Sequence, residues 1–314
     1  MIVAVTGSSG YIGGQVALKL SDSGHTVVGI DRRPCPTHLT CFEHVIEEDF
    51  ANEEVLKFIS GGNIDAIVHC AGTSLVGPSM MNPQEYYHNN TVKTLALLDT
   101  IVKNSIKTRI IFSSSAAVYG IPIMVPCSEV DPCEPISPYG ESKLAIEWAL
   151  RSYHNAYGLD YVAFRYFNAA GADSQGRHGQ EPGATHIIAR ALESVKNQSG
   201  FALYGNNYET ADGTCIRDYV HVEDIADAHV AALDKTVLSG VYNLGTNQGT
   251  SNLEVIHKVA QVAGVNIAVE LKARREGDPS TLTAESIKFQ AATAWQPKYV
   301  LQDIIQHAWN WYNR

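Results

Sequence analysis

Tyr139 and Lys143 stand four residues apart in the run SPYGESK, from Ser137 to Lys143. On a helix that spacing puts a phenol and an ammonium on one face. Such a pair can take a proton from an alcohol. A phenol with a pKa of about 10 is scarce as phenolate at neutral pH, and a nearby positive charge favours the ionised form. Ser115 ends the apolar-then-polar run RIIFSSS and could hold the same substrate oxygen, with Ser113 and Ser114 as alternatives on sequence grounds. Each of these residues alone is more often structural; their company argues for chemistry.

That company is the opening MIVAVTGSSGYIGG, which spaces Gly7, Gly10 and Gly13 between an apolar strand, Ile2 to Val5, and a helix beginning near Tyr11. Glycines there let the chain turn tightly and approach a pyrophosphate at a helix N-terminus. Asp31, closing a second strand from His25 to Ile30, can accept hydrogen bonds from an adenosine ribose, which points to NAD. Arg32 could neutralise the extra phosphate of NADP, but Asp31 would repel it. Asp49 could receive the adenine amine or be an ordinary surface carboxylate.

The elements needed to position these groups follow in order. A buried strand is expected from Ile64 to His69, a long helix around Pro83 to Lys103, and a strand from Arg109 to Phe112 running into the serines. A ligand site at the carboxyl edge of such strands fits an open parallel sheet. The prolines at 122, 126, 132, 135 and 138 mark an irregular loop; Ser137 is a candidate N-cap, and the helix it opens can run to about Tyr157. Tyr161 to Phe164 supplies another strand, and the glycine-rich stretch from Gly171 to Gly183 marks a boundary. The reading is α/β: a Rossmann-like parallel sheet flanked by helices, over residues 1–170, and a smaller mixed α/β domain over residues 171–314, with segments near 218–250 returning to the first.

A chain of 314 residues, 45% hydrophobic, can bury one large core or two smaller ones. Its 33 carboxylates against 23 Lys plus Arg give a net charge of −10, and only Arg32–Arg33 and Arg274–Arg275 pair up, which argues against a nucleic-acid partner. Six scattered cysteines without a CxxC motif suggest reduced thiols and no metal. No signal segment or long apolar run appears, so the expectation is a cytoplasmic protein with no membrane association.

The chain resembles the UDP-glucose 4-epimerases of the extended short-chain dehydrogenase/reductase family over essentially its whole length. The resemblance is carried by TGSSGYIG, HCAG at 69–72, SSSAAVYG at 113–120, SPYGESK, RYFNAAG at 165–171, DGTCIRDYVHVEDIADAH at 212–229, YNLGT at 242–246 and RREGDP at 274–279. It implies catalysis by Ser115, Tyr139 and Lys143. It implies an NAD site drawn from Gly7, Gly10, Tyr11, Ile12, Gly13, Asp31, Asp49, Phe50, Ala71, Gly72, Asn90, Ser113, Tyr139, Lys143 and Tyr166. For a UDP-sugar it implies Ser115, Tyr139, Asn168, His186, Arg217, Arg275 and Asp278, with the arginines on the diphosphate and Asp278 on the ribose. A homodimer joined through long helices is also implied.

The reaction so implied is reversible C4 epimerisation through a 4-keto sugar. Ser74 departs from the family where a lysine often lies near the diphosphate, and Ala117 replaces a common threonine near the sugar. Leu282 falls in the region of the family's sugar-size gate and should disfavour an N-acetyl group. A 4,6-dehydratase is disfavoured because Ala116 and Ala117 stand where that family carries an acidic pair. A UDP-pentose or UDP-uronate 4-epimerase and a nonenzymatic NAD-binding redox sensor are the alternatives.

Overall fold

A computed structural model of the chain describes residues 1–274 and 277–314. In chain order the first part runs β1 (Ile2–Thr6), α1 (Tyr11–Asp22), β2 (Thr26–Ile30), β3 (His44–Ile46), α2 (Glu53–Gly61), β4 (Ala66–His69), α3 (Val76–Met81), α4 (Pro83–Tyr86), a π-helical turn (Tyr87–Val92), α5 (Lys93–Lys103), β5 (Arg109–Ser115), a short 3-10 turn (Ala116–Tyr119), α6 (Pro138–Tyr157) and β6 (Asp160–Tyr166). The remainder is β7 (Asn168–Ala170), α7 (Ile187–Lys196), β8 (Phe201–Tyr204), β9 (Ile216–His221), α8 (Val222–Ala231), β10 (Gly240–Leu244), β11 (Gly249–Ser251), α9 (Asn252–Ala263), β12 (Val269–Lys272), β13 (Thr281–Leu282), α10 (Ile287–Ala292) and α11 (Leu301–Tyr312).

Seven strands form one parallel sheet in the order β10-β6-β5-β4-β1-β2-β3. Successive side chains of a strand point to opposite faces, and here both faces are covered, which is why the strands read as unbroken apolar runs. Val3, Val5, Ala66 and Val68 pack on one side with Val16, Leu20, Ile225 and Phe289. Ala4 and Ile67 pack on the other with Ile59, Leu97, Ile101, Ile146 and Leu150. The strand order reverses beside β1, at whose carboxyl end the glycine loop emerges, the usual crevice of a Rossmann-like sheet.

The smaller domain gathers β7, β9, β11 and β13 in a mixed sheet and pairs β8 with β12. Its core joins α7, α9 and α11 through Ile188, Leu192, Val255, Val259, Ile304 and Trp311. The division is not a clean cut in sequence, since α8 packs on α1 and β10 lies in the large sheet beside β6.

One element differs in detail from its sequence pattern. The segment 83–103 reads as a single helix, whereas the structure widens it to a π-helical turn at Tyr87–Val92. The wider turn carries Asn90, which is buried against the site. Such turns occur often at functional positions. At α6, Ser137 accepts from the Gly140 amide and Pro138 takes the first turn, and Gly158 in the left-handed conformation ends the helix.

Candidate active site

The glycine loop is built for close approach. Gly7 has φ +72°, and a β-carbon there would lie 2.7 Å from the Ala71 amide nitrogen; one at Gly13 would lie 2.2 Å from the Gly7 carbonyl oxygen. Neither position tolerates a side chain. Gly10, the N-cap of α1, brings no side-chain acceptor, so the first-turn amides at Tyr11, Ile12 and Gly13 face the crevice without a cap. Those amides and the positive end of the helix suit a pyrophosphate.

Asp31 is buried at the end of β2, its two oxygens accepting from the amides of Ser9 (3.0 Å) and Arg33 (2.9 Å). Asp49 sits beyond β3 and pairs with Lys93 at 2.6 Å, which together with the Ala51 amide holds its carboxyl below the usual range against the opposing effect of burial. Phe50 is buried with its ring edge-on to His69, 4.7 Å between centroids. His69, buried between the hydroxyls of Thr6 and Thr94, is pushed down to about 3 by burial and stays neutral. The glycine cradle, the uncapped helix end and the buried ribose-height carboxylate fit NAD. Tyr11 contributes through its place in the helix; its hydroxyl reaches away to the Gly171 carbonyl, 2.8 Å.

Beyond the pyrophosphate position the residues of the proposed chemistry converge. Lys143 is buried and donates to the Ser113 carbonyl at 2.8 Å, with its ammonium 4.9 Å from the Phe112 ring centre and 6.0 Å from that of Tyr139. A β-carbon on Gly72 would lie 2.9 Å from Asn90 Oδ1 and 3.5 Å from Lys143 Nζ, so the end of β4 closes over the same space. Asn90 is fixed there by the Thr73 amide and carbonyl and by Ser142. Ser113 Oγ lies 2.9 Å from the Tyr166 hydroxyl.

The electrostatics differ from the simple picture of a lysine lowering a phenol. Burial pushes Tyr139 above its ordinary value, hydrogen bonding from Ser115 pulls it back, and Tyr86 adds to the rise. Burial also lowers Lys143, to about 8. The protein alone therefore keeps the phenol protonated, because both groups are desolvated and the ammonium spends its hydrogen bond on a carbonyl. Ser115 sits at the start of the 3-10 turn, where its hydroxyl also accepts from the Ala117 amide at 3.2 Å.

The other predicted ligands lie across the crevice. Arg217, on β9, donates to the Ile216 carbonyl and forms an ion pair with Asp278, so two positions expected to touch different parts of a nucleotide touch each other. Asn168 opens β7 opposite Tyr219. His186 is the N-cap of α7, with its Nδ1 2.8 Å from Gln180 Nε2. Leu282 pairs in register with Arg217 and packs against the apolar cluster that includes Ala116, Val118, Phe167 and Ala284. Arg275 lies outside the described residues. Among those described, no group of three or more metal-ligating side chains occurs, and no helix is long and apolar enough to cross a membrane.

Three residues at the site escape sequence reasoning. Tyr86 is buried edge-on to Tyr139, Lys93 pairs with Asp49, and His229 hydrogen-bonds Tyr166. Each is an ordinary member of an amphipathic helix by pattern, and His229 enters the sequence reading only as the last residue of the run 212–229.

The NAD dependent epimerase/dehydratase family matches residues 3–245. A UDP-glucose 4-epimerase of Halalkalibacterium halodurans is 43% identical over 321 residues, 99% of this chain and 96% of that one. Among solved structures, UDP-glucose 4-epimerase from Stenotrophomonas maltophila with bound NAD and formylated UDP-arabinopyranose superposes with a TM-score of 0.94 at 30% identity, covering 100% of this chain and 98% of that one. The enzyme from Bifidobacterium longum in complex with NAD+ and UDP gives 0.93 at 36% identity, with the same coverage. The cradle at 7–13, the crevice beside β1 and matches along the whole length place this chain in the NAD dependent epimerase/dehydratase family.

Proposed function

We propose that this protein carries out reversible C4 epimerisation of a UDP-sugar, UDP-glucose and UDP-galactose, through a transient 4-keto sugar with NAD bound. The observation that carries the reading is the meeting of Ser115, Tyr139 and Lys143 at the end of the crevice whose other end is the glycine cradle. The relatives named UDP-glucose 4-epimerase, similar from end to end, support the substrate.

The chemistry supplied by NAD when bound is hydride acceptance from C4 and its return to the opposite face of the keto sugar. Where the positive charge of an oxidised nicotinamide adds to that of Lys143, Tyr139 would stand as the phenolate, take the proton of the 4-hydroxyl and later give it back, so proton and hydride leave and return with no net consumption. Ser115 holds the same oxygen and offsets the burial that keeps the phenol protonated. Lys143, anchored on the Ser113 carbonyl, places a positive charge beside the phenol. Desolvation strengthens each of these interactions while the residues supply alignment. Asp31 would take the adenosine ribose, and Asp49 the adenine amine.

For the nucleotide, Arg217 is suited to the diphosphate and Asp278 to the uridine ribose, their ion pair holding the guanidinium oriented. Arg275, Asn168 and His186 complete the substrate set carried by the family resemblance. A pentose is the second reading, favoured by the arabinopyranose nucleotide in the Stenotrophomonas maltophila relative. The assembly we infer is a homodimer, through the face of α6 and the π-helical turn that leaves Trp148 and Val92 exposed.

Purified protein, with no added cofactor, should convert UDP-galactose to UDP-glucose as read by product stereochemistry in NMR, and Tyr139→Phe should lower turnover by about 10²-fold or more while keeping its thermal transition. A Tyr139→Phe variant as fast as the parent, or no conversion of any UDP-sugar by protein shown to hold NAD, would reject the reading.

A further inference from the structure

Near Lys143 runs a largely buried chain of four side chains, three of them from β5, β6 and α8. Cys70 Sγ, just past β4, lies 3.1 Å from Ser113 Oγ on β5. Ser113 Oγ lies 2.9 Å from the hydroxyl of Tyr166 at the end of β6, and that hydroxyl lies 2.8 Å from His229 Nε2 on α8. His229 Nδ1 is 2.9 Å from the Ile225 carbonyl oxygen, one helical turn back. His229 is wholly inaccessible and Tyr166 nearly so.

One end of this chain sets the direction of all of it. A carbonyl oxygen only accepts, so His229 Nδ1 must carry a hydrogen. Burial lowers His229 to about 4, so the ring is neutral and Nε2 is a lone pair. Tyr166 must then donate to Nε2. Its single proton is spent, and burial keeps that phenol far above its ordinary value, so it accepts from Ser113. The Ser113 proton is spent in turn, so Ser113 Oγ cannot also donate to Cys70 Sγ, and in that contact the thiol must be the donor. All hydroxyl protons point towards α8, and the last lone pair, on Ser113 Oγ, faces Cys70 Sγ past the end of β4, while the main-chain carbonyl of Ser113 holds Lys143.

We propose that His229 is a positioning residue, whose Nδ1–H tautomer imposes one donor sense on the Tyr166–Ser113 chain and so leaves a lone pair, not a proton, of Ser113 facing Cys70, beside the Ser113 carbonyl that anchors Lys143. With the acceptor gone, the Tyr166 hydroxyl is free to turn its proton to Ser113 and Ser113 its own to Cys70, which reverses the dipoles beside the Lys143 ammonium. The effect on rate rests on the catalytic reading of Lys143; the tautomer and the sense of the chain rest on the Ile225 contact and on the neutral state that burial gives the ring and the phenol.

Two measurements test this. In protein labelled with 15N at histidine, the His229 ring should show a protonated Nδ1 and an unprotonated Nε2 in a through-bond spectrum, with assignment by loss of the signal in His229→Gln. A protonated Nε2 or a charged ring overturns the proposal, whatever the protein's activity. In the conversion of UDP-galactose, His229→Leu should lose about tenfold or more in kcat with KM little moved. His229→Gln, whose amide can donate to Ile225 and whose oxygen can accept from Tyr166, should recover most of that loss. Equal losses in both variants, each with a thermal transition near that of the parent, overturn it as well, as does a His229→Leu variant with parental kcat.

Discussion

Tyr86 stands edge-on to Tyr139, ring centres 6.3 Å apart and planes at 79°, with its own hydroxyl turned the other way onto the carbonyls of Ser74 and Leu75, both at 2.8 Å. One buried ring thus walls the base while pinning the turn that follows β4. That turn is strained: Leu75 has φ +91°, a conformation that costs a side chain of this kind energy unless neighbours impose it.

Tyr86→Phe separates the two duties, since the ring stays and the hydroxyl goes. Two carbonyls lose their common donor, at a cost of about 1–3 kcal/mol. Stability should fall by that order in urea unfolding, and KM for the UDP-sugar should rise more than kcat falls, because the loosened turn borders the space for the nucleotide. A variant with unchanged KM and unchanged stability would show that the turn holds itself.

Lys143 gives a pH dependence with a definite sign. Its folded-state value of about 8 lies below that of an unfolded lysine, about 10.4, so between those limits the unfolded chain holds more protons. The stability of cofactor-free protein should therefore rise from about pH 8 to about pH 10. Other lysines and tyrosines titrate in the same window, and the difference from Lys143→Met isolates this one. Denaturant melts across that range that run parallel for parent and variant would contradict the burial of a charged ammonium here.

Glu147 and Arg165 form a buried ion pair at 2.7 Å, both under a tenth exposed, with the Ser114 hydroxyl also donating to the carboxylate. The pair ties α6, which carries Tyr139 and Lys143, to β5 and β6, and the guanidinium stacks over Tyr119 at 4.8 Å. Glu147→Ala leaves a buried cation without its counter-charge and should cost about 3–5 kcal/mol in urea unfolding. Loss of less than about 1 kcal/mol would mean that water reaches the guanidinium once the carboxylate is removed.

The parts of this site that the sequence discloses are those whose meaning is local. Gly7, Gly10 and Gly13 act through backbone conformation and close approach, and SPYGESK holds its N-cap, first-turn proline, phenol and lysine in seven consecutive residues. The strands were legible because burial on both faces makes each an apolar run. What stayed hidden depends on chain segments meeting. Tyr166 and His229 are 63 positions apart, and Arg217 and Asp278 are 61, so neither partner marks the other along the chain. The π-helical turn at 87–92 was illegible for another reason: one shifted hydrogen bond barely alters the spacing of apolar residues.

The exposed face of α6 predicts association. Trp148 is 53% exposed and Val92 54%, on neighbouring surfaces tied together by Tyr87 to Glu141 and by Tyr153 to Asp99. Large apolar side chains on a rigid, two-helix face suit a self-complementary contact. Light scattering should give twice the chain mass for the parent and a shift towards monomer for Trp148→Glu; a parent that is monomeric at micromolar concentration would end this reading.

Leu282 predicts which sugars enter. β13 lies parallel to β9 with Leu282 opposite Arg217, and its side chain packs against the apolar cluster that contains Ala116, the neighbour of Ser115, and Phe167. A leucine on the strand beside Arg217, packed against the cluster next to Ser115, is expected to take volume that an N-acetyl group would need. Steric discrimination in a packed pocket is worth about 1–3 kcal/mol, so kcat/KM for UDP-N-acetylgalactosamine should sit roughly 10–200-fold below that for UDP-galactose. Leu282→Ala should narrow the gap by raising turnover of the larger sugar, at some cost in stability from the lost packing. Comparable turnover of both sugars by the parent would show that the leucine side chain does not reach the sugar, and the gate would have to be sought on the facing loop.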